Sequence, residues 1–303
     1  MHQDNGQWKI KEYHTAITQV APQKIVLDLE GSGLYTLFAM KAKARKCYTL
    51  VSEEYRHSVQ RLLENNKWFT NQVVLIHNLN QVSGQVDVII HDWDEGQILA
   101  LTNLIQLVKA RDQWLVPKGG CIVPHEIRLH LAAITDPTFE EYVKELWDFS
   151  AHGLDVYGHV SDVYSRNNVL WGSLPQPPVS PQIPLWAIKP ITTSLDHLLN
   201  FRTHFILQLS QAATVHGLAL FLEVRFISTM AKERGWKSCH QKDPYTFFLS
   251  KPIENCEAGE FIGGEFSYSV QNKEITTEIS ADIKIRKETS KFHFSEVRKD
   301  TMI

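Results

Sequence analysis

The sequence predicts a doubly wound α/β domain followed by an antiparallel all-β domain. Three observations carry this expectation. Short, near-continuous apolar runs alternate with helix-length segments from Lys24 to about Pro124. Beyond that point strand patterns succeed one another directly, separated by Gly, Asn and Asp. A proline cluster interrupts the second half where neither helix nor central strand can form, because each proline fixes φ and removes a donor.

In the first half the order is KIVLDL, then LYTLFAMKAKA; KCYTLV, then EEYRHSVQRLLENN; VVLIH; and VDVIIH, then QILALTNLIQLVKARDQWL. Strands that are apolar on both faces and separated by helices indicate a parallel sheet covered on both sides. The second half continues with PKGGCIVPHEIRLHLAAI, FRTHFILQLSQ, VHGLALFLEVRFIS, EFIGGEFSYSV and EITTEISADIKIRK. Such a succession implies antiparallel pairing in a barrel or sandwich. The expected domains are therefore residues 1–124 and 125–303. Between the first β-segment and the rest, Pro175, Pro177, Pro178, Pro181 and Pro184 are flanked by Leu170, Trp171, Leu174, Leu185, Trp186 and Ile188. This reads as a stiff arm over about 160–192, expected to dock its apolar residues on a neighbouring molecule rather than on its own body.

Composition removes several function classes. At 303 residues and 43% hydrophobic content the chain can build a full core. No apolar run approaches the roughly 20 residues of a membrane span. The N-terminal MHQDNGQWKIKEY has neither a signal-peptide apolar region nor an Arg-rich transit pattern, so a cytoplasmic address is expected, with the nucleus as the alternative. Cys47, Cys121, Cys239 and Cys256 lack metal-type spacing and read as free thiols in a reducing compartment. A net charge of −3 gives no global pull on nucleic acid. The locally basic Ile283–Lys299 stretch is interspersed with glutamates and reads as a solvated strand face. The 14 histidines are dispersed, so no metal site is expected. No serine elbow, phosphate-binding Gly-x-x-x-x-Gly-Lys loop or His-Glu-x-x-His pair occurs.

The stretch KIVLDLEGSGLY, Lys24 to Tyr35, has the strand–turn–helix form of a nucleotide-binding loop. Such a loop uses glycine to reach positive φ and to let the ligand approach the backbone. Here only Gly31 and Gly33 remain. Glu30 heads the turn and Leu34 stands near its end. An anionic ligand group about 4 Å from a charged Glu30 would be repelled by roughly 4 kcal/mol at an effective dielectric near 20. The next strand ends in Val51, where a ribose-binding acid is needed, and Glu53 reads as a helix-start charge. Asp28 is expected to bind loop amides.

Further along, VDVIIHDWDEG, KARDQWLVPKGGCIVP, VYGHVSDV, VHGLALFLEVRF and DPYTFF together resemble the protein arginine methyltransferases. That resemblance implies a Rossmann-like domain that binds S-adenosylmethionine, followed by a β-barrel domain with an inserted dimerisation arm. It also implies two glutamates on one loop that orient the substrate guanidinium, which stays protonated and planar. Asp92, before Trp93, stands at the first, one methylene short; the second falls on Leu101. Asp94 and Glu95 lie nearby but are not expected to substitute. The family's Thr-His-Trp loop follows a Pro-Tyr pair; here Pro244 and Tyr245 precede Thr246, Phe247 and Phe248, so Phe247 replaces the histidine. Glu30, Gly31, Gly33 and Val51 are the degenerate counterparts of the cofactor positions. Of the family's tyrosines that close over the cofactor, Tyr13 is the one counterpart offered.

Losses confined to chemistry imply a catalytically inactive prozyme: a pseudoenzyme that dimerises with an active arginine methyltransferase paralogue and activates or stabilises it. Its own cofactor is expected to be none, with S-adenosylmethionine held by the active partner. The pair is a heterodimer, extendable to a heterotetramer, and is linked through the partner to arginine-glycine-rich RNA-binding substrates. The partner-binding residues expected are Trp171, Leu174, Leu185, Trp186 and Ile188 of the arm, with Leu34, Phe38, Leu62 and Leu63 of the outer helices. Two alternatives are a divergent but working methyltransferase and an RNA-associated scaffold on the same fold.

Overall fold

The computed structural model describes residues 7–68, 71–92, 101–138, 169–171, 174–228, 235–240, 244–272, 276–285 and 288–297. The first half alternates as expected. Helix α1 (Gln7–Val20) leads to β1 (Ile25–Asp28), α2 (Leu34–Lys41), β2 (Lys46–Leu50), α3 (Glu53–Asn65), β3 (Val73–Ile76), β4 (Val88–Ile90), α4 (Leu101–Trp114) and β5 (Cys121–Val123). All four pairings are parallel, and the sheet order is β3-β2-β1-β4-β5. Val26, Leu27, Val88, Ile89 and Ile90 are all buried, which is why these strands read as apolar without alternation. The chain steps outward from β1 to β3, then returns to the far side of β1 as β4. In a doubly wound sheet this reversal opens a crevice at the strands' carboxyl ends. Asp28 and Glu30 lie at one lip of it, His91 and Asp92 at the other.

The second half is antiparallel: β6 (Glu126–Ile134), β7 (Val169–Trp171), β8 (Ile183–Ile188), α5 (Leu195–Leu199), β9 (Asn200–Gln208), β10 (Ala213–Ser228), β11 (Gly235–His240), β12 (Tyr245–Cys256), β13 (Phe261–Asn272), β14 (Thr276–Ile285) and β15 (Glu288–Val297). One sheet runs β7-β12-β10-β6-β8, with β11 added to β10; the other runs β15-β14-β13-β9. The sheets adjoin where β8 meets β9 and where β12 meets β15, a barrel-like arrangement. Leu129, Leu131, Leu218, Leu220, Phe247 and Phe266 fill its core.

Arg111 ties the halves together. Its Nη1 donates to the carbonyls of Pro190 and Thr193, both at 2.6 Å, while the guanidinium pairs with Asp112 at 2.7 Å. The planar fork suits two acceptors at once.

The proline-rich arm is corrected over its described part. Leu185, Trp186 and Ile188, expected to face a partner, are buried in the chain's own core as part of β8. Ile188 pairs with Ile127 and Trp186 with Leu129 on β6. Pro184 is tolerated because β8 is the last strand of its sheet, where a missing donor faces no ladder partner. The Trp186 ring stacks on Phe201 at 4.1 Å, and its Nε1 donates to His197 Nε2 at 3.2 Å. Stacking adds about 0.5–1.5 kcal/mol beyond the area buried. Leu174 packs on the cluster of Ala132, Ile134, Ala219, Phe221 and Phe248. The backbone of Trp171 pairs with Tyr245; the side chain of Trp171 and residues 160–168 lie outside the described residues.

Candidate functional site

The crevice between β1 and β4 gathers three carboxylates, and each is handled differently. Asp28, fully buried at the end of β1, accepts from the Glu30 amide (3.0 Å), the Thr36 amide (3.0 Å) and the Thr36 hydroxyl (2.8 Å). The Thr36 hydroxyl also meets that of Thr49 at 2.6 Å, tying the turn to β2. Asp28 thus bonds loop amides, as the sequence suggests. Burial raises its pKa to about 6, against the opposing hydrogen bonds.

Glu30 is half-buried at the head of the turn. Burial first, then the negative charges of Asp92 and Asp28, push it up to about 8; Lys9 and the Asp92 amide oppose this. Glu30 therefore keeps its proton near neutrality. The like-charge repulsion expected from the sequence is corrected accordingly: at pH 7 the obstacle at this position is a neutral acid side chain, not a fixed negative charge.

Asp92 follows β4, and both of its oxygens are engaged. Lys9 Nζ of α1 forms an ion pair with Oδ1 at 2.9 Å, and the Tyr35 hydroxyl donates to Oδ2 at 2.6 Å. Tyr35 is buried among the acids, which raises its own hydroxyl pKa far above the ordinary value. Its ring stacks on Tyr13 at 4.8 Å; Tyr13 in turn donates to the His91 carbonyl at 3.0 Å and meets Phe226 of β10 edge-on at 5.0 Å. Burial and the charge of Lys9 lower the His91 imidazole to about 4. α1 therefore lies across the crevice, with Lys9 and Tyr13 one helical turn apart on the same face.

The two glycines have packing reasons of their own. Gly31 and Gly33 adopt φ of 75° and 78°. A Cβ on Gly31 would lie 2.6 Å from the Leu50 carbonyl oxygen, and one on Gly33 would lie 2.9 Å from Val59 Cγ1. The turn presses against the end of β2 and against α3, so glycine is required whether or not a ligand binds. Val51 is buried, and its amide donates to the Ile76 carbonyl at 2.8 Å, extending the sheet.

Of the remaining sequence-predicted residues, Phe247 belongs to the barrel core, edge-on to Phe266 at 6.4 Å. Leu101 opens α4, its side chain outside the described residues, as are Asp94 and Glu95. Leu34, Phe38 and Leu62 are half-buried, with Phe38 edge-on to His14 of α1 at 4.7 Å. Leu63 is fully buried and is withdrawn as a partner contact; it lies on the sheet-facing side of α3 together with Val59, four positions earlier. Lys9, Tyr35, Thr36 and Thr49 were missed. The signal available was the i, i+4 spacing of Lys9 and Tyr13 on a helix pattern.

The chain is 28% identical over 291 residues to protein arginine N-methyltransferase 1.1 of Arabidopsis thaliana, covering 88% of this chain and 70% of that protein. It is 31% identical over 156 residues to protein arginine N-methyltransferase 1 of Oryza sativa subsp. indica, covering 49% and 40%. Over most of its length the chain is similar to protein arginine methyltransferases. No family model matches it. It shares its fold with solved structures. The Trypanosoma brucei PRMT1 enzyme–prozyme heterotetrameric complex with AdoHcy superposes with a TM-score of 0.78 at 20% identity, covering 94% of each chain. Arabidopsis thaliana protein arginine methyltransferase 10, in an open conformation, gives 0.73 at 20% identity over 95% of each.

Proposed function

We propose that this chain is a non-catalytic subunit that assembles with an active arginine methyltransferase paralogue and supports its activity. The observation that carries this reading is the engagement of Asp92 by Lys9 and Tyr35. An acid meant to orient a substrate guanidinium needs free oxygens, and here both are bonded within the chain. The cofactor implied by the fold, S-adenosylmethionine, fits these residues poorly. Glu30 takes the place of a glycine at the head of the turn. Tyr35 is buried against Tyr13 beside it. Val51 offers no acceptor for a ribose hydroxyl. No methyl-transfer step is therefore routed through this crevice. The solved enzyme–prozyme heterotetramer with which this chain shares its fold supports a paralogue partner. Leu34 and Leu62, half-buried, and the exposed Tyr55 on α3 leave apolar surface on the helical face to receive one.

The test is methyl transfer from labelled S-adenosylmethionine to an arginine-glycine-rich peptide, by the chain alone and after co-expression with a paralogue. Little turnover alone, with a stoichiometric rise in the paralogue's rate, is expected. Robust turnover by the isolated chain refutes the reading and favours a divergent enzyme in which Lys9 vacates Asp92.

A further inference from the structure

We propose that the amino edge of the parallel sheet is a docking site for the phosphate backbone of single-stranded RNA, held by Lys24, Lys43 and Arg45. The site lies at the end of the strands opposite to the β1–β4 crevice and is independent of what that crevice binds.

The turns that enter β1, β2 and β3 are linked to one another at this edge. The Gln23 amide donates to the Lys43 carbonyl at 2.9 Å, the Arg45 amide to the Lys24 carbonyl at 2.8 Å, and Gln72 Nε2 to the Arg45 carbonyl at 3.4 Å. Lys24, Lys41, Lys43, Arg45 and Lys67 are all exposed here. Among the described residues Asp87 is the one carboxylate paired with any of them, 3.6 Å from the Lys24 ammonium. The chain as a whole carries a net charge of −3, so this edge is opposite in sign to the molecule that bears it. A local excess of cations attracts a polyanion whatever the sign of the total.

The backbone under Lys43 adds a second observation. Lys43 follows the cap residue of α2, Ala42, with φ of 65°, and the Gln23 bonded to it has φ of 62°. Glycine takes this left-handed conformation without a Cβ penalty and is the common residue just past a helix cap. The helix dipole accounts for Lys41, in the last turn of α2. It does not account for a long cationic side chain on a left-handed backbone, nor for Arg45 beyond the helix. Folding alone favours glycine at position 43, and the lysine there serves the charge of the edge.

The chemistry of the edge selects the partner. Protein interfaces bury apolar and aromatic side chains at their centre. Among the described residues the exposed large apolar side chains are Ile10, Tyr55, Ile191, Ile206 and Phe261, and none belongs to these turns. Exposed Gln23 and Gln72 instead add amide donors beside the cations. Ammonium, guanidinium and amide donors without apolar surface are the set that meets phosphate oxygens. Lys24 and Arg45 stand at adjacent strand ends, about 4.8 Å apart, which is too narrow to reach across a duplex groove and suits one backbone.

Fluorescence anisotropy of a labelled oligouridylate of about 20 nucleotides, titrated with the full chain, tests the site. Binding is expected at about 50 mM salt, with log K falling against log salt at a slope of about −2, the value for about three phosphate contacts on a single strand. Lys43→Gly removes the charge and relieves the left-handed backbone. It should therefore melt no lower than the wild type while binding about five- to tenfold more weakly, with a slope shallower by about 0.7. Arg45→Gln should weaken binding by a similar factor, and Lys11→Gln, on α1, by less than about twofold. No binding at about 50 mM salt, a salt-independent constant, or unchanged affinity in both Lys43→Gly and Arg45→Gln overturns the proposal. So does tighter binding to a polyglutamate peptide or to phosphatidylserine vesicles than to the RNA. Turnover by the isolated chain refutes the subunit reading, whereas RNA affinity decides this one, so the two fail separately.

Discussion

Glu30→Gln isolates the acid among the described residues whose folded-state titration falls just above neutral pH. In the folded chain Glu30 moves from an ordinary 4.5 to about 8, because burial and the charges of Asp92 and Asp28 disfavour its ionised form. The folded state then holds a proton that the unfolded chain has released, so stability is greatest at low pH and falls as pH rises from 4.5 toward 8. Integrated between pH 6.5 and 8.5, the loss is about 2 kcal/mol. Other described groups change by less in that window, and alike in the two proteins. Asp28, raised to about 6, is largely ionised in both states above pH 7. His91 and His125, lowered to about 4, are neutral in the folded state but half protonated in the unfolded state at pH 6.5, so each adds about 0.4 kcal/mol of stability as pH rises, in wild type and variant alike. Glutamine keeps the size of the side chain and an oxygen for the Asp92 amide but carries no charge. Thermal unfolding at pH 6.5, 7.5 and 8.5 should show the wild type losing a few degrees and Glu30→Gln holding or gaining, so that the two profiles diverge by about 2 kcal/mol across the range. Parallel pH profiles for the two proteins would refute both the buried-acid assignment and the electrostatic picture built on it.

Gly31→Ala should destabilise by about 1–2 kcal/mol from its left-handed backbone, and further because the new Cβ meets the Leu50 carbonyl; denaturant unfolding reads the sum. Trp186→Ala should cost about 3–5 kcal/mol in the isolated chain, since the ring packs on its own Phe201; a loss of partner binding with unchanged stability would instead restore the arm reading. Arg111→Lys, unable to present a planar fork to two carbonyls, should lower stability by about 1.5–3 kcal/mol and raise exchange around residues 189–194. Tyr35→Phe keeps the stack on Tyr13 and releases one oxygen of Asp92, so it should lower the melting temperature without disordering residues 13–20 in exchange measurements.

The parallel sheet was legible because strands buried on both faces leave an unbroken apolar signature, as in Ile25–Asp28 and Val88–Ile90. The site was legible only in its first residues. Glu30 and Asp92 could be singled out because a charge at a turn or strand end is anomalous, but their partners come from α1 and α2, and sequence distance hides contacts such as Lys9 to Asp92. The protonation of Glu30 was out of reach for the same reason, since it depends on which acids the fold brings together. The arm misled because proline content marks what a segment cannot be. Ile183–Ile188 carries the pattern of an edge strand, which tolerates Pro184, and its tryptophan reads alike whether it caps a core or a neighbour.

The state of the three acids bears on what kind of site this is. Catalytic pockets tend to keep strongly perturbed groups whose charge is completed by substrate or transition state. Here the completion is internal. Asp28 is satisfied by two amides and a hydroxyl, Glu30 by retaining a proton, and Asp92 by Lys9 and Tyr35. A crevice so arranged gives up less by staying closed than by admitting a ligand, which would have to displace an ion pair and a 2.6 Å hydrogen bond before making any contact of its own. The same closure makes α1 part of the fold's stability through Tyr13. The same contacts therefore both stabilise the chain and obstruct the crevice.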